Sequence, residues 1–197
     1  MQVQKTIKFK VGELRKGKKE LIDFALNNSV NAIKDFMDLS IKNKTTSNTK
    51  LHHLGYKEIV IKYKLPACIV HQSRNKAREI IKSWKTNKYR LHKNIPLPEP
   101  KALRIRYDNI VFKIIKTDNK EYPYFASLLI ANRKRIYIPL IVNSDYQKEY
   151  IEDLLNGKYK HGSADLIKKG DDYYCYLVIK KEVEFLNKEN YNPIGID

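Results

Sequence analysis

The chain has 197 residues, a formal charge of +17 and a pI near 9.7, with 42% hydrophobic and 11% aromatic residues. That content argues for folding over disorder, in one large domain or two small ones, and a field of this sign favours a polyanionic partner. No apolar run approaches the ~20 residues that span a bilayer, and the alternating first ten residues do not resemble a signal peptide, so the expectation is a soluble, cytoplasmic protein without a membrane partner.

Val3, Ile7, Phe9 and Val11 share one parity and predict a half-buried strand over residues 2–11. From Lys18 to about Asn43, Leu21, Ile22, Ala25, Val30, Ile33, Phe36 and Met37 recur at helical spacing, with a break expected near Asn27-Asn28. Residues 43–57, rich in Lys, Thr, Asn and His, read as a polar connection. Leu65-Pro66 opens a second helix to about Lys85, since proline is tolerated in a first turn. Three prolines between Asn94 and Pro100 end the helical region.

Beyond Lys101 the pattern changes to short runs rich in β-branched and aromatic residues. Strands are predicted at Leu103–Tyr107, Ile110–Lys116, Tyr124–Ala131, Arg135–Val142, Ala164–Lys169 and Tyr173–Lys181, with a short helix at Asp145–Leu155. Lys169-Gly170-Asp171-Asp172 reads as a hairpin turn. The first strand, which has no partner nearby, is expected to join this later sheet. The class is α+β: one strand, a helical insertion, then a β-barrel or sandwich.

Residues 74–106 hold eleven Lys/Arg against Glu79 and Glu99, a net of +9, whereas residues 143–197 sum to −3. A solvated helix face usually mixes signs. This one-signed run marks Arg74, Lys76, Arg78, Lys82, Lys85, Tyr89, Arg90, Lys93, Arg104 and Arg106 as the candidate nucleic-acid-binding residues. Lysine meets phosphate as a flexible point charge, which suits backbone tracking over base reading. Trp84 continues the apolar stripe and is expected in the core; Tyr89, placed beyond the helix, is the better stacking platform. Arg104 and Arg106 alternate along a strand, so both should project from one face, toward two adjacent phosphates or, for Arg106, toward a carboxylate such as Asp108.

Cys68 and Cys175 are too few for a disulfide framework, and the five histidines show no zinc-ligand spacing with them. There is no P-loop, nucleophile elbow, zincin motif or dinucleotide fingerprint. Asp165, Asp171 and Asp172 read as turn residues around the hairpin. Asp197, at the end of Pro193-Ile194-Gly195-Ile196-Asp197, is the one carboxylate in a catalytic setting. A single carboxylate does not hold the paired metals of phosphodiester cleavage.

Taken in order, KTIKFK, LPACIVHQSRNKAREIIKSWK, LRIRYD, RIYIPL, ADLIKKGDDYYCYLVIKK and the final PIGID resemble the N-terminal portion of the TnpB (OrfB) proteins of insertion sequences, transposon-encoded relatives of type V CRISPR effectors. The resemblance implies a wedge-type β-barrel from residues 1–12 and 103–183, with a helical recognition insertion at 13–102. It also implies a linker and the first strand of a RuvC-like domain at 184–197. It further implies guide RNA and target DNA as partners, and Asp197 as the first of three carboxylates of a Mg²⁺-dependent nuclease. The later Glu, the second Asp and the cysteine-rich zinc motif are absent, so cleavage by this chain alone is not expected and no cofactor is assigned to it. The alternative is a stand-alone, non-catalytic, transposon-derived DNA/RNA-binding protein such as a repressor. A helix-turn-helix built from residues 18–85 is disfavoured by the long polar connection, where that motif needs a turn of ~3–4 residues.

Overall fold

A computed structural model describes residues 2–91, 94–131 and 134–182. Among these residues, seven strands form one curled antiparallel sheet, a half-barrel, accompanied by four helices. In chain order these are β1 (Gln2–Val11), α1 (Lys16–Lys42), α2 (Asn48–Tyr63), α3 (Ala67–Leu91), β2 (Arg104–Tyr107) and β3 (Lys113–Lys116). They continue with β4 (Tyr124–Ala131), β5 (Lys134–Ile141), α4 (Asp145–Leu155), β6 (Lys160–Lys169) and β7 (Asp172–Glu182). The sheet order is β2-β6-β7-β1-β5-β4-β3. β1 does join the later strands: it pairs along its length with β7 and, at Lys10 and Val11, with β5.

Alternation sets the two faces of the sheet. Ile7, Phe9 and Val11 of β1, Cys175, Leu177 and Ile179 of β7, and Ile136, Ile138 and Leu140 of β5 point inward and are buried. The opposite parity carries Lys8 and Lys10 opposite Tyr176 and Tyr174. The β6–β7 hairpin closes through Gly170-Asp171, with Gly170 at φ +59°, the positive value that the first position of a type II′ turn requires. β6 begins four residues earlier than its periodicity suggests. Its register shifts between His161 and Ala164, where a Cβ on Gly162 would stand 2.8 Å from the Val178 carbonyl oxygen.

Helices α1, α2 and α3, inserted between β1 and β2, pack into a bundle around Ile22, Leu26, Phe36, Leu51, Ile69 and Ile81. α1 is unbroken at Asn27-Asn28, because both amides find acceptors: Asn27 donates to the Asp23 carbonyl and Asn28 to the Tyr63 carbonyl. The expected polar connection is overturned, since residues 48–63 form α2. Ser47 caps it by accepting from Lys50 N–H, and Leu51, Gly55 and Ile59 bury one face. α3 runs to Leu91, six residues past the expected end, so Tyr89 and Arg90 lie in the helix. Nothing between Lys85 and Leu91 breaks a helix.

Polar links seat this bundle on the sheet. Asp23 of α1 accepts from Tyr173 Oη at 2.7 Å and from Lys168 Nζ at 2.8 Å. Trp84, half-buried, donates from Nε1 to the Ile95 carbonyl at 2.9 Å and pins the proline-rich segment to α3.

Candidate nucleic-acid interface

At roughly 100° per residue, Arg74, Arg78, Lys82, Lys85 and Tyr89 fall within an arc of about 80° on α3. Ile69, Ser73, Ala77 and Ile81 occupy the buried face instead. Lys82, Lys85 and Tyr89 are exposed, Tyr89 to 80%; Arg74 and Arg78 are half-buried. None of the four cations is ion-paired with a carboxylate of the described residues. Arg78 donates from Nε to the Thr46 carbonyl at 2.9 Å, and Arg74 from Nη1 to His52 Nδ1 at 3.1 Å. The α1–α2 loop and α2 therefore hold the two arginines, while the lysines reach into solvent. Lys88 sits 5.5 Å above the Trp84 ring, at the margin of this stripe.

The other candidates lie elsewhere. Lys76 pairs with Glu79 at 3.3 Å on a different face of α3, and Arg90 is exposed in its last turn. Lys93 lies outside the described residues, as does Asp197 with the whole segment 184–197. Arg104 and Arg106 do share a face, but a carboxylate already occupies the space between them. Asp165, 5% exposed in the middle of β6, pairs with Arg104 Nη2 and accepts from Arg106 Nε at 3.3 Å. Arg106 also lies 3.8 Å from Glu79. Asp165 is thus a buried ion-pair partner and not a turn residue. Asp108 is the turn former, accepting from Ile110 and Val111 N–H. That turn delays β3 to Lys113. With two arginines against Asp165 and Glu79, this corner fastens α3 to the sheet and adds little net field.

Two features escaped the sequence reading. The first is α2, which places His52 and Tyr56 against His71 and Arg74 of α3, at the head of the stripe. Ser47 followed by Leu51, Gly55 and Ile59 at helical spacing was the available signal. The second is the outer sheet face. Lys8 Nζ stands 4.3 Å above the Tyr174 ring, and Lys169 stands 5.7 Å from the Tyr176 ring while donating to its hydroxyl at 3.3 Å. Interleaved cations and aromatic rings on a strand face are a stacking platform in chemical type. Its signal was the alternation of Tyr173-Tyr174-Cys175-Tyr176 against Lys8 and Lys10.

Cys68 and Cys175 are free thiols, half-buried and buried, and burial raises both above the usual cysteine range. Among the described residues no group of three or more His, Cys, Asp or Glu is placed to hold a metal ion. Among the same residues no helix is long and apolar enough to cross a membrane.

The fold and the site together define a mixed α+β protein: a curled antiparallel half-barrel with a three-helix insertion that presents a basic, aromatic-tipped stripe. In comparison with known proteins, no family model matches the chain and no curated protein does.

Proposed function

We propose that this chain is a nucleic-acid-binding module, the guide-RNA- and target-DNA-gripping part of a TnpB-like, transposon-encoded RNA-guided DNA endonuclease. One observation carries the reading. Arg74, Arg78, Lys82, Lys85 and Tyr89 share one face of α3, turned away from the core, with no acidic residue among the described residues paired to the cations. Such a face neutralises phosphates along a backbone without reading bases. A duplex held through its backbone needs a positive channel of this kind. The Lys8–Tyr174 and Lys169–Tyr176 pairs supply a second surface of the same chemical character on the sheet.

Residues 64–66, the link between α2 and α3, are short enough for a helix-turn-helix, whereas the five residues 43–47 between α1 and α2 are not. In such a motif the start of α3 would have to enter a groove, yet Leu65, Pro66, Ile69 and Val70 are buried.

The test is binding of a labelled RNA and of matched single- and double-stranded DNA across a salt series. The reading predicts tight RNA binding whose log K falls linearly with log salt, with a slope reporting on the order of three or more phosphate contacts. RNA affinity that does not respond to salt would refute it. A strict preference for one duplex sequence without RNA would favour the repressor reading.

A further inference from the structure

At the head of the stripe, α2 and α3 bring together three imidazoles, one phenol ring and one guanidinium. His52 stacks on His71 with ring centroids 5.5 Å apart and planes inclined by 8°. Tyr56 lies 4.4 Å from His52 and 4.9 Å from His71, and His53 meets His52 edge-on at 5.8 Å. A guanidinium can only donate. The 3.1 Å contact from Arg74 Nη1 therefore makes His52 Nδ1 an acceptor and places the proton of a neutral imidazole on Nε2. Arg74 Nε is buried with no partner. The charges acting on His71 are those of Arg74 and His52, and Tyr56 is the ionisable group acting on Arg74; no carboxylate of the described residues contributes to either.

A half-buried cluster of potential cations without a carboxylate counter-ion among the described residues, with an unused guanidinium N–H, is arranged for an anion. Its position decides which one. Arg74 is the first member of the same α3 face as Arg78, Lys82 and Lys85, so a strand tracking that face brings a phosphate to it.

We propose that His52, His71 and Arg74 form a phosphodiester-binding site in which binding is coupled to proton uptake. This rests on the reading of the α3 stripe as a nucleic-acid surface. Without nucleic acid, burial and the neighbouring Arg74 guanidinium depress the proton affinity of His71, while His52 Nδ1 accepts from Arg74. A phosphate oxygen accepting from Arg74 supplies the missing negative charge. His52 and His71 then take protons from solvent, and both donate to the same anion. Protonated His52 no longer accepts from Arg74, so the guanidinium is released toward the phosphate. The sign follows by linkage: the complex holds more protons than the free chain, so affinity rises as pH falls.

The experiment is fluorescence anisotropy of the full chain with a labelled 20-nucleotide RNA and the DNA of the same sequence, at constant ionic strength between pH 8.0 and 5.5. Circular dichroism at each pH verifies folding. The wild-type chain is expected to gain about ten-fold or more in affinity toward acid, within the limit of ten-fold per pH unit per proton. The His52→Gln/His71→Gln variant is expected to gain roughly three-fold or less over the same range, whatever its affinity at pH 8.0. RNA and DNA should respond alike, because the contact is to phosphate. Equal pH responses in wild type and variant overturn the site while leaving the stripe reading intact. A response confined to RNA overturns its assignment to phosphate. Absence of binding at every pH overturns the stripe reading and this inference with it. Should the double variant fail to fold, calorimetry of wild-type chain in buffers of different ionisation enthalpy decides. Proton uptake on binding at pH 6.0 supports the site, and none refutes it.

Discussion

Arg106 Nε donates to Asp165 Oδ1 at 3.3 Å, across the β2–β6 pair and 59 residues along the chain. With Arg104 on the other oxygen, a carboxylate only 5% exposed is held between two guanidiniums that are themselves part-exposed. Removing the carboxylate leaves two like charges facing each other at the edge of the sheet. Asp165→Ala is expected to lower unfolding free energy by about 1–3 kcal/mol, less than a fully buried pair because the arginines reach water. Asp108→Ala, which loses only a turn cap, should cost about 1 kcal/mol or less. Urea denaturation of both variants checks the assignment; a larger loss for Asp108→Ala would contradict it.

Lys64 joins α2 to α3 in the left-handed region, at φ +52°, with its N–H bonded to the Val60 carbonyl. A side chain there is strained, and glycine is the usual occupant of such a helix end. Lys64→Gly should therefore stabilise the chain by up to about 1 kcal/mol. The expected readout is a Tm a few degrees higher. An unchanged or lower Tm would show that the lysine side chain contributes more than the strain costs.

His161 packs against Phe112, with ring centroids 5.2 Å apart, and its Nδ1 lies against the Gly162 carbonyl while Nε2 is buried without a partner. Burial holds its pKa below the ordinary histidine range, as it does for His71. For a depressed histidine the unfolded chain takes up the proton first. Stability is therefore full above about pH 6.5 and is lost as pH falls from there through the lower folded values. Thermal melts of the free chain should decline over that window. His161→Phe should flatten the decline, whatever its effect on stability at pH 8. A slope unchanged in the variant would exclude His161 as a source.

Much of the sheet was legible because its strands alternate and its hairpin carries Gly170. β4 and α4 fall on the residues that periodicity marks, and β1 has an apolar parity that demanded partners. α2 was not legible from composition. Its polar residues Asn48, Thr49, His52 and His53 mask a narrow apolar stripe of Leu51, Gly55 and Ile59, which matters only once α1 is there to cover it. The stripe on α3 was visible as a charge run. The separation of Arg74, Arg78, Lys82 and Lys85 from Lys76 follows only from helix phase. The partner of Arg104 and Arg106 was hidden for another reason: strand pairing chose Asp165, and local sequence offered Asp108.

The α3 stripe is tested most directly by measuring RNA affinity against salt for the Arg78→Gln/Lys82→Gln/Lys85→Gln chain. The control is a charge-matched variant at three exposed lysines elsewhere, Lys19→Gln/Lys120→Gln/Lys148→Gln. The account predicts that the stripe variant loses about ten-fold or more in affinity at low salt, and that its salt slope falls by roughly two to three. The control should lose only a small part of this through its reduced net charge. Equal losses in the two variants, or a stripe variant that binds as tightly as wild type, would contradict the account.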